Sequence, residues 1–218
     1  MGLFALNEIQ QLFPGATTRT YTRGQVIMYG GDQPNHVMYV KSGAYKFYDI
    51  DRQGNEKILF IDGSGSIFPL FYTFEDKSYV SEFYASLSRL VLVMIPLDEF
   101  RQEITKNSVL SARILKWHVG QMDQVVNRLK SLEKSTARHK VLEALLYLSN
   151  QRSVVHSLPN DWYRVTFPLS QQTLADFTGL TRETVNASMK AIERLGVVRV
   201  PQKLVLEINR TNLKKALD

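Results

Sequence analysis

The spacing of apolar positions changes along this chain, and each change marks a different kind of element. Between residues 19 and 97 the apolar residues come in short β-rich runs, Val37-Met38-Tyr39-Val40, Tyr45-Lys46-Phe47-Tyr48 and Lys57-Ile58-Leu59-Phe60-Ile61. Turn residues bound them: Ser42-Gly43, Asp51-Arg52-Gln53-Gly54 and Asp62-Gly63-Ser64-Gly65. Leu90 to Ile95 is almost continuously apolar, which suits a strand buried on both faces. Many short strands with regular turns predict a sandwich or jelly roll. Pro96 closes that run, and a long helical pattern begins near Leu97. Within it Leu115, Met122 and Leu129 recur every seven residues, with His118, Val125 and Leu132 at the other seam position. Such heptads predict either a coiled coil between two copies or a helix buried within one chain. Ser135-Thr136 reads as a hinge, and Arg138 to Asn150 as an amphipathic helix carrying Val141, Leu142, Leu145, Leu146 and Leu148.

The stretch from Leu169 to Val198 holds the strongest local signal. Leu174, Ala175 and Phe177 give one short helix an apolar side, and Gly179 ends it where a positive φ is needed. Thr181 can cap a second helix by accepting from the N–H of Glu183 or Thr184. Val185, Met189 and Ile192 then follow at i, i+4, i+7, so one face packs inward, while Arg182, Glu183, Asn186 and Lys190 occupy the other. An anchored first helix and a second one offering long polar side chains predict a helix-turn-helix. A plain solvated αα-hairpin is the structural alternative. Trp162 to Pro168 is a strand leading in; Val197–Val200 and Leu204–Ile208 flank Pro201-Gln202-Lys203 as a β-hairpin wing.

Thr181-Arg182-Glu183-Thr184-Val185 and Leu195-Gly196-Val197-Val198, with Gly24-Gln25-Val26-Ile27, Gly31-Asp32, Tyr39 to Gly43 and Gly54-Asn55-Glu56 upstream, give the chain its family likeness. It resembles the cyclic-AMP receptor protein/FNR superfamily of bacterial transcription regulators over almost its whole length. The resemblance implies an α+β chain with an N-terminal β-roll (1–107), a central dimerisation helix (108–135) and a C-terminal winged helix-turn-helix (136–218). It implies a homodimer on a palindromic operator in double-stranded DNA, with RNA polymerase as a further partner. Leu115, His118, Met122, Val125, Leu129 and Leu132 would form the dimer seam.

By the resemblance Arg182 and Glu183 read bases, and Ala187 stands where a further arginine is usual, so Asn186 becomes a base-reading candidate. Physically, arginine can donate twice to guanine and glutamate can accept from cytosine. Ser170, Gln171, Thr181, Thr184, Lys190 and Lys203 are placed for phosphates, which position without specifying sequence.

Composition narrows the chemistry. The net charge is +6, and twelve Lys/Arg against seven Asp/Glu fall from Thr136 onward, compared with fifteen against fourteen before it. A basic C-terminal third suits a polyanion. With no cysteine, disulfides, iron–sulfur clusters and thiolate metal sites are excluded. The start of the chain lacks a basic n-region and a signal-length apolar core, and no run reaches the ~18 apolar residues of a membrane span, so a cytoplasmic protein is expected. No catalytic motif occurs, and an enzyme is not expected. His36, His139 and His156 are scattered and no metal is expected; His118 could set register or, in a sensor, meet haem.

In cyclic-nucleotide-binding members of the family a glutamate holds the ribose and an Arg–Ser pair the cyclic phosphate. A buried phosphate needs a fixed cation. Here Pro69-Leu70 stand where Gly-Glu would be, and Asp76 to Ser81 offers no arginine, so cyclic nucleotide is not the expected effector and no cofactor is expected. The aromatic segment instead suggests an apolar pocket of Phe68, Leu70, Phe71 and Phe83 with Trp117, Gln121 and Met122, or simply a packed core. The competing reading of the whole chain is a ligand- or haem-sensing module acting through protein partners instead of DNA.

Overall fold

The computed structural model describes residues 4, 6–70, 79–132 and 136–217, without the side chains of 128, 131 and 132. Two compact units emerge, Met1–Phe47 with Asp62–Met122, and Tyr48–Ile61 with Asp123–Asp218.

Helix α1 (Leu6–Leu12) precedes a pair of four-stranded sheets. One runs β1 (Thr17–Tyr21), β8 (Leu90–Pro96), β3 (His36–Ser42), β6 (Ile67–Phe68). The other runs β2 (Val26–Met28), β7 (Phe83–Ser86), β4 (Ala44–Ile50), β5 (Glu56–Gly63). Pairings within the first sheet are antiparallel, and the outer strands β1 and β6 flank a central β8–β3 pair.

The period-2 alternation of a strand makes β3 and β8 serve two cores at once. Met38, Val40, Leu90 and Leu92 pack with Tyr45, Phe68 and Tyr84 in one cluster. Val37, Tyr39, Val93 and Ile95 pack with Ile9, Phe13, Phe100, Ile104, Leu110 and Ile114 in the other. The buried Leu90–Ile95 strand expected from its apolar run is thus accounted for by helices on one face and strands on the other. Between β3 and β4, Gly43 is obligatory: its φ is 97° and a Cβ there would stand 2.3 Å from the Arg89 carbonyl oxygen.

The helical pattern beginning near Leu97 is not one helix. It divides into α2 (Leu97–Lys106) and α3 (Ser108–Leu132) at Asn107, whose backbone is extended at φ −113°, ψ 92°. The Asn107 N–H donates to the Glu103 carbonyl, ending α2, and its Oδ1 accepts from the Leu110 N–H, starting α3. One short polar side chain satisfies the new helix start, so the break costs little.

The second unit begins with the last turns of α3 and continues through α4 (Ala137–Asn150). Thr136, expected as a hinge, is the α4 N-cap and accepts from the His139 N–H; Ser135 lies outside the described residues. Val141, Leu142, Ala144, Leu145 and Leu148 are completely buried. Residues 48–61 belong to this unit, and the Tyr147 hydroxyl donates to the Ile61 carbonyl at 3.1 Å. Strands β9 (Val155–Leu158) and β10 (Trp162–Val165) lead into α5 (Gln171–Thr178) and α6 (Arg182–Arg194). Strands β11 (Val198–Gln202) and β12 (Val205–Asn209) follow, then α7 (Arg210–Leu217). The four strands form one sheet in the order β11-β12-β10-β9. Asn160 and Asp161, both at positive φ, turn β9 into β10.

Candidate nucleic-acid interface

Local chemistry fixes the two helices before packing does. The Ser170 hydroxyl caps α5 by accepting from the Thr173 N–H at 3.0 Å. Gly179, at φ 69° and ψ 24°, ends the helix with its N–H donated to the Ala175 carbonyl. Two residues later Thr181 caps α6, accepting from the Thr184 N–H at 3.2 Å. Val185 and Ile192 are completely buried while Arg182, Glu183 and Lys190 face solvent, so the polar face is free to meet a ligand.

A groove of about 620 Å³ runs between this helix pair and the β11–β12 hairpin. Ser170, Gln171, Arg182, Asn186 and Lys190 line it together, opposite Val200 and Leu204 of the hairpin. Base-reading and phosphate candidates thus share one groove. Glu183, Thr181, Thr184 and Lys203 do not line it. Lys203 is exposed at the β11–β12 turn. The Thr181 and Thr184 hydroxyls bond to each other at 2.9 Å, as do those of Ser170 and Thr173 at 2.8 Å, so these hydroxyls serve the caps in this structure. Asn186 is also engaged: its Oδ1 accepts from Gln171 Nε2 at 2.9 Å.

Behind the groove lies a cluster that sequence reading missed. The Glu207 carboxylate, only 2% exposed, accepts from Arg164 Nε and Nη2 at 2.8 and 2.6 Å and from Arg199 Nε. Burial pushes its pKa up, but the two guanidinium groups overcome that and hold it below the ordinary glutamate value. Arg199 lies 4.2 Å from the centre of the Trp162 ring. The available signal was the two-residue phase: Arg164, Arg199 and Glu207 each follow or precede buried apolar strand residues. Arg210 stacks 3.8 Å from the Tyr163 ring and donates to the Ser149 carbonyl, tying α7 to α4.

The pocket candidates fall into separate packing groups. Phe68, Tyr45 and Tyr84 form one aromatic cluster, with ring centroids 4.2, 4.9 and 6.2 Å apart. Leu70 and Trp117 pack in the other cluster, and Phe83 meets Tyr29 edge-on. Gln121 donates to the buried Asp62 at 3.1 Å, and Met122 is exposed. Phe71 lies outside the described residues. Along α3 the exposed apolar stripe is Leu115, Val119, Met122, Val126 and Leu129, whereas His118 and Val125 are half-buried. The Leu132 side chain lies outside the described residues. Among the described residues no His/Asp/Glu cluster could hold a metal, and no helix is long and apolar enough to cross a membrane.

Comparison with known proteins agrees with this anatomy. Residues 18–107 match the cyclic nucleotide-binding domain and residues 139–216 the Crp-like helix-turn-helix domain. The transcriptional activator protein FnrL of Cereibacter sphaeroides is 24% identical over 188 residues, covering 85% of this chain and 73% of FnrL. A CRP-like cAMP-activated global transcriptional regulator of Mycobacterium tuberculosis is 24% identical, covering 85% of this chain and 81% of that protein. In fold, the chain is similar to FixK2 from Bradyrhizobium japonicum, with a TM-score of 0.77, 17% identity, and coverage of 92% of this chain and 96% of FixK2.

Proposed function

We propose that this chain, which belongs to the Crp/Fnr family of transcription regulators with a helix-turn-helix DNA-binding domain, acts as a cytoplasmic homodimer on a palindromic operator without responding to cyclic nucleotides. The observation that carries the DNA reading is the shared groove, in which Arg182, Asn186 and Lys190 of one helix meet Gln171 and the hairpin. Arg182 reads a guanine and Glu183 a cytosine; Lys190 and Lys203 meet phosphates. Asn186 reads through its bond to Gln171, so the pair acts as one recognition unit.

The dimer reading is supported by α3. Ser108, Ala112, Leu115, Val119, Met122, Val126 and Leu129 are all exposed and alternate at spacings of four and three, the pattern of a coiled-coil seam. In this reading Val119 and Val126 join Leu115, Met122 and Leu129 in the seam, and His118 and Val125, which the sequence suggested, lie beside it. A two-fold seam requires a two-fold operator. RNA polymerase is the further partner a DNA-bound regulator would meet.

Insensitivity to cyclic nucleotides is supported by Leu70, buried in the helix-side core, and by Phe68, packed in a cluster with Tyr45 and Tyr84. No arginine occurs between residues 71 and 88. The deciding experiment is selection of full-length protein on randomised duplexes. Enrichment of inverted repeats is expected; failure to retain any duplex would overturn the reading and leave the interaction module in its place.

A further inference from the structure

The two faces of the C-terminal sheet differ sharply. Val155, Val165, Val198, Leu206 and Ile208 are buried, and Val198 and Leu206 line the groove beside α6. The opposite face presents a row across all four strands: Arg199 pairs with Glu207, Glu207 with Arg164, and Arg164 with His156. Trp162, two residues before Arg164, shares that face. The arginine side chains are 49% and 54% exposed, yet each is held at Nε by the same buried carboxylate. The nitrogens not spent on Glu207, Nη1 of Arg164 and both Nη atoms of Arg199, belong to guanidinium groups already held in place, and a fork in place loses little freedom when it captures an anion.

We propose that this outer face is a docking surface for an acidic segment of a partner protein, whose carboxylates seat in the Arg164 and Arg199 forks beside Trp162. Charge complementarity sets the chemistry: two guanidinium groups share one buried carboxylate, leaving the row net positive with His156 beyond it. The face is turned away from the α6 groove, so a duplex held in that groove does not cover it; the inference rests on the DNA reading only for this point. Trp162, half-buried and carrying Arg199 over its ring, adds apolar ring surface at the margin of the row for a peptide side chain. Arg164 and Arg199 stand on strands either side of β12, but their guanidinium groups converge on the two oxygens of the Glu207 carboxylate, closer together than the ~10 Å between their backbones. In an extended segment the side chains at i and i+2 share one face about 7 Å apart, so acids at alternate positions match the converging forks.

The test uses the full-length protein, a fluorophore-labelled oligoglutamate peptide and pooled random duplexes, with anisotropy measured at physiological salt. The peptide should bind the protein already saturated with duplex. A variant carrying Arg164→Thr, Arg199→Thr and Glu207→Val removes the row while leaving strand-forming residues and no orphaned charge. It should lose about tenfold or more in peptide affinity and keep its duplex affinity. A second variant, Arg164→Lys with Arg199→Lys, keeps both counter-charges for Glu207 and removes only the forks; it should weaken peptide binding about fivefold. Unchanged peptide affinity in either variant would overturn the proposal. So would displacement of the peptide by duplex, or loss of duplex affinity in the triple variant, since either makes the face a nucleic-acid site. Wild-type protein that holds duplex but not peptide overturns this proposal alone; protein that holds neither removes the DNA reading as well.

Discussion

Arg182 and Lys190 are one helix face apart in role though both line the same groove. A guanidinium reaching a base edge discriminates among sequences, whereas an ammonium on a phosphate does not. Arg182→Ala should cost about 1–3 kcal/mol and relax preference at a single base pair, while Lys190→Ala should weaken every sequence alike and lower the salt slope by about 1. Binding selections and salt titrations on both variants measure this, and an unchanged base preference for Arg182→Ala would refute the assignment. Glu207 supports a different kind of prediction. Its pKa is depressed in the folded state, so the unfolded chain takes up a proton first as acid is added. Its contribution to stability is complete above the ordinary glutamate value of 4.5 and is lost as pH falls through the lower folded value. Denaturation of Glu207→Gln against wild type should therefore show a difference at neutral pH that shrinks below that value; a constant difference would contradict the linkage. Arg182, Glu183 and Lys190 were legible in the sequence because the amphipathic period alone puts them on the exposed face. Glu207 was not, since its environment depends on strand pairing that joins residues 164, 199 and 207. The engagement of Asn186 by Gln171 was hidden for the same reason: it joins positions on two helices.

At the scale of elements, the helix-turn-helix was readable because its determinants are local. Gly179 and Thr181 act within a few residues of themselves, and both do what their side chains favour. The α2–α3 break was less legible because Asn107 interrupts a helical pattern that remains apolar on either side, and only the Leu110 N–H bond reveals it as a cap. The seam shows a subtler ambiguity. Leu115, Met122 and Leu129 belong to either of two heptad phases, one completed by His118 and Val125 and the other by Val119 and Val126. Valines stand at both 125 and 126, so spacing cannot choose. Exposure favours the second phase, with Val119 at 55% and Val126 at 44% exposed while His118 and Val125 are half-buried in their own chain. Replacing Val126 and Leu129 together by Lys should set charges into the seam and give monomers that no longer hold operator DNA. The same two charges at exposed sites of a monomer would be tolerated, so folding is expected to survive. Sedimentation would measure it, and a variant that stays dimeric would remove α3 from the interface.

Across the whole molecule, the β-roll keeps its family architecture, and the described part of its interior is built of apolar and aromatic side chains. In a cyclic-nucleotide site, catching a buried phosphate requires a fixed cation and several donors, because an unpaired charge in a low-dielectric interior is costly. Here residues 18–107 match the cyclic nucleotide-binding domain, yet Leu70 lies among Val37, Ile67 and Ile95 in an apolar cluster, and Phe68 fills its surroundings with stacked rings. Opening such a core to admit a nucleotide would expose packed apolar surface, which is costly. Calorimetry with cyclic AMP and cyclic GMP on the full-length protein should therefore show no binding at micromolar concentrations, and operator affinity should be the same with and without them. Restoring one polar group would not reverse this: Leu70→Glu would set a carboxylate into the mostly apolar helix-side core, where the Tyr39 hydroxyl already donates to the Phe4 carbonyl. That variant should lose stability, by several kcal/mol, without gaining nucleotide affinity. Micromolar binding by either the native chain or Leu70→Glu would mean that the interior can open, and that a donor outside the Phe68 and Leu70 surroundings supplies the missing cation.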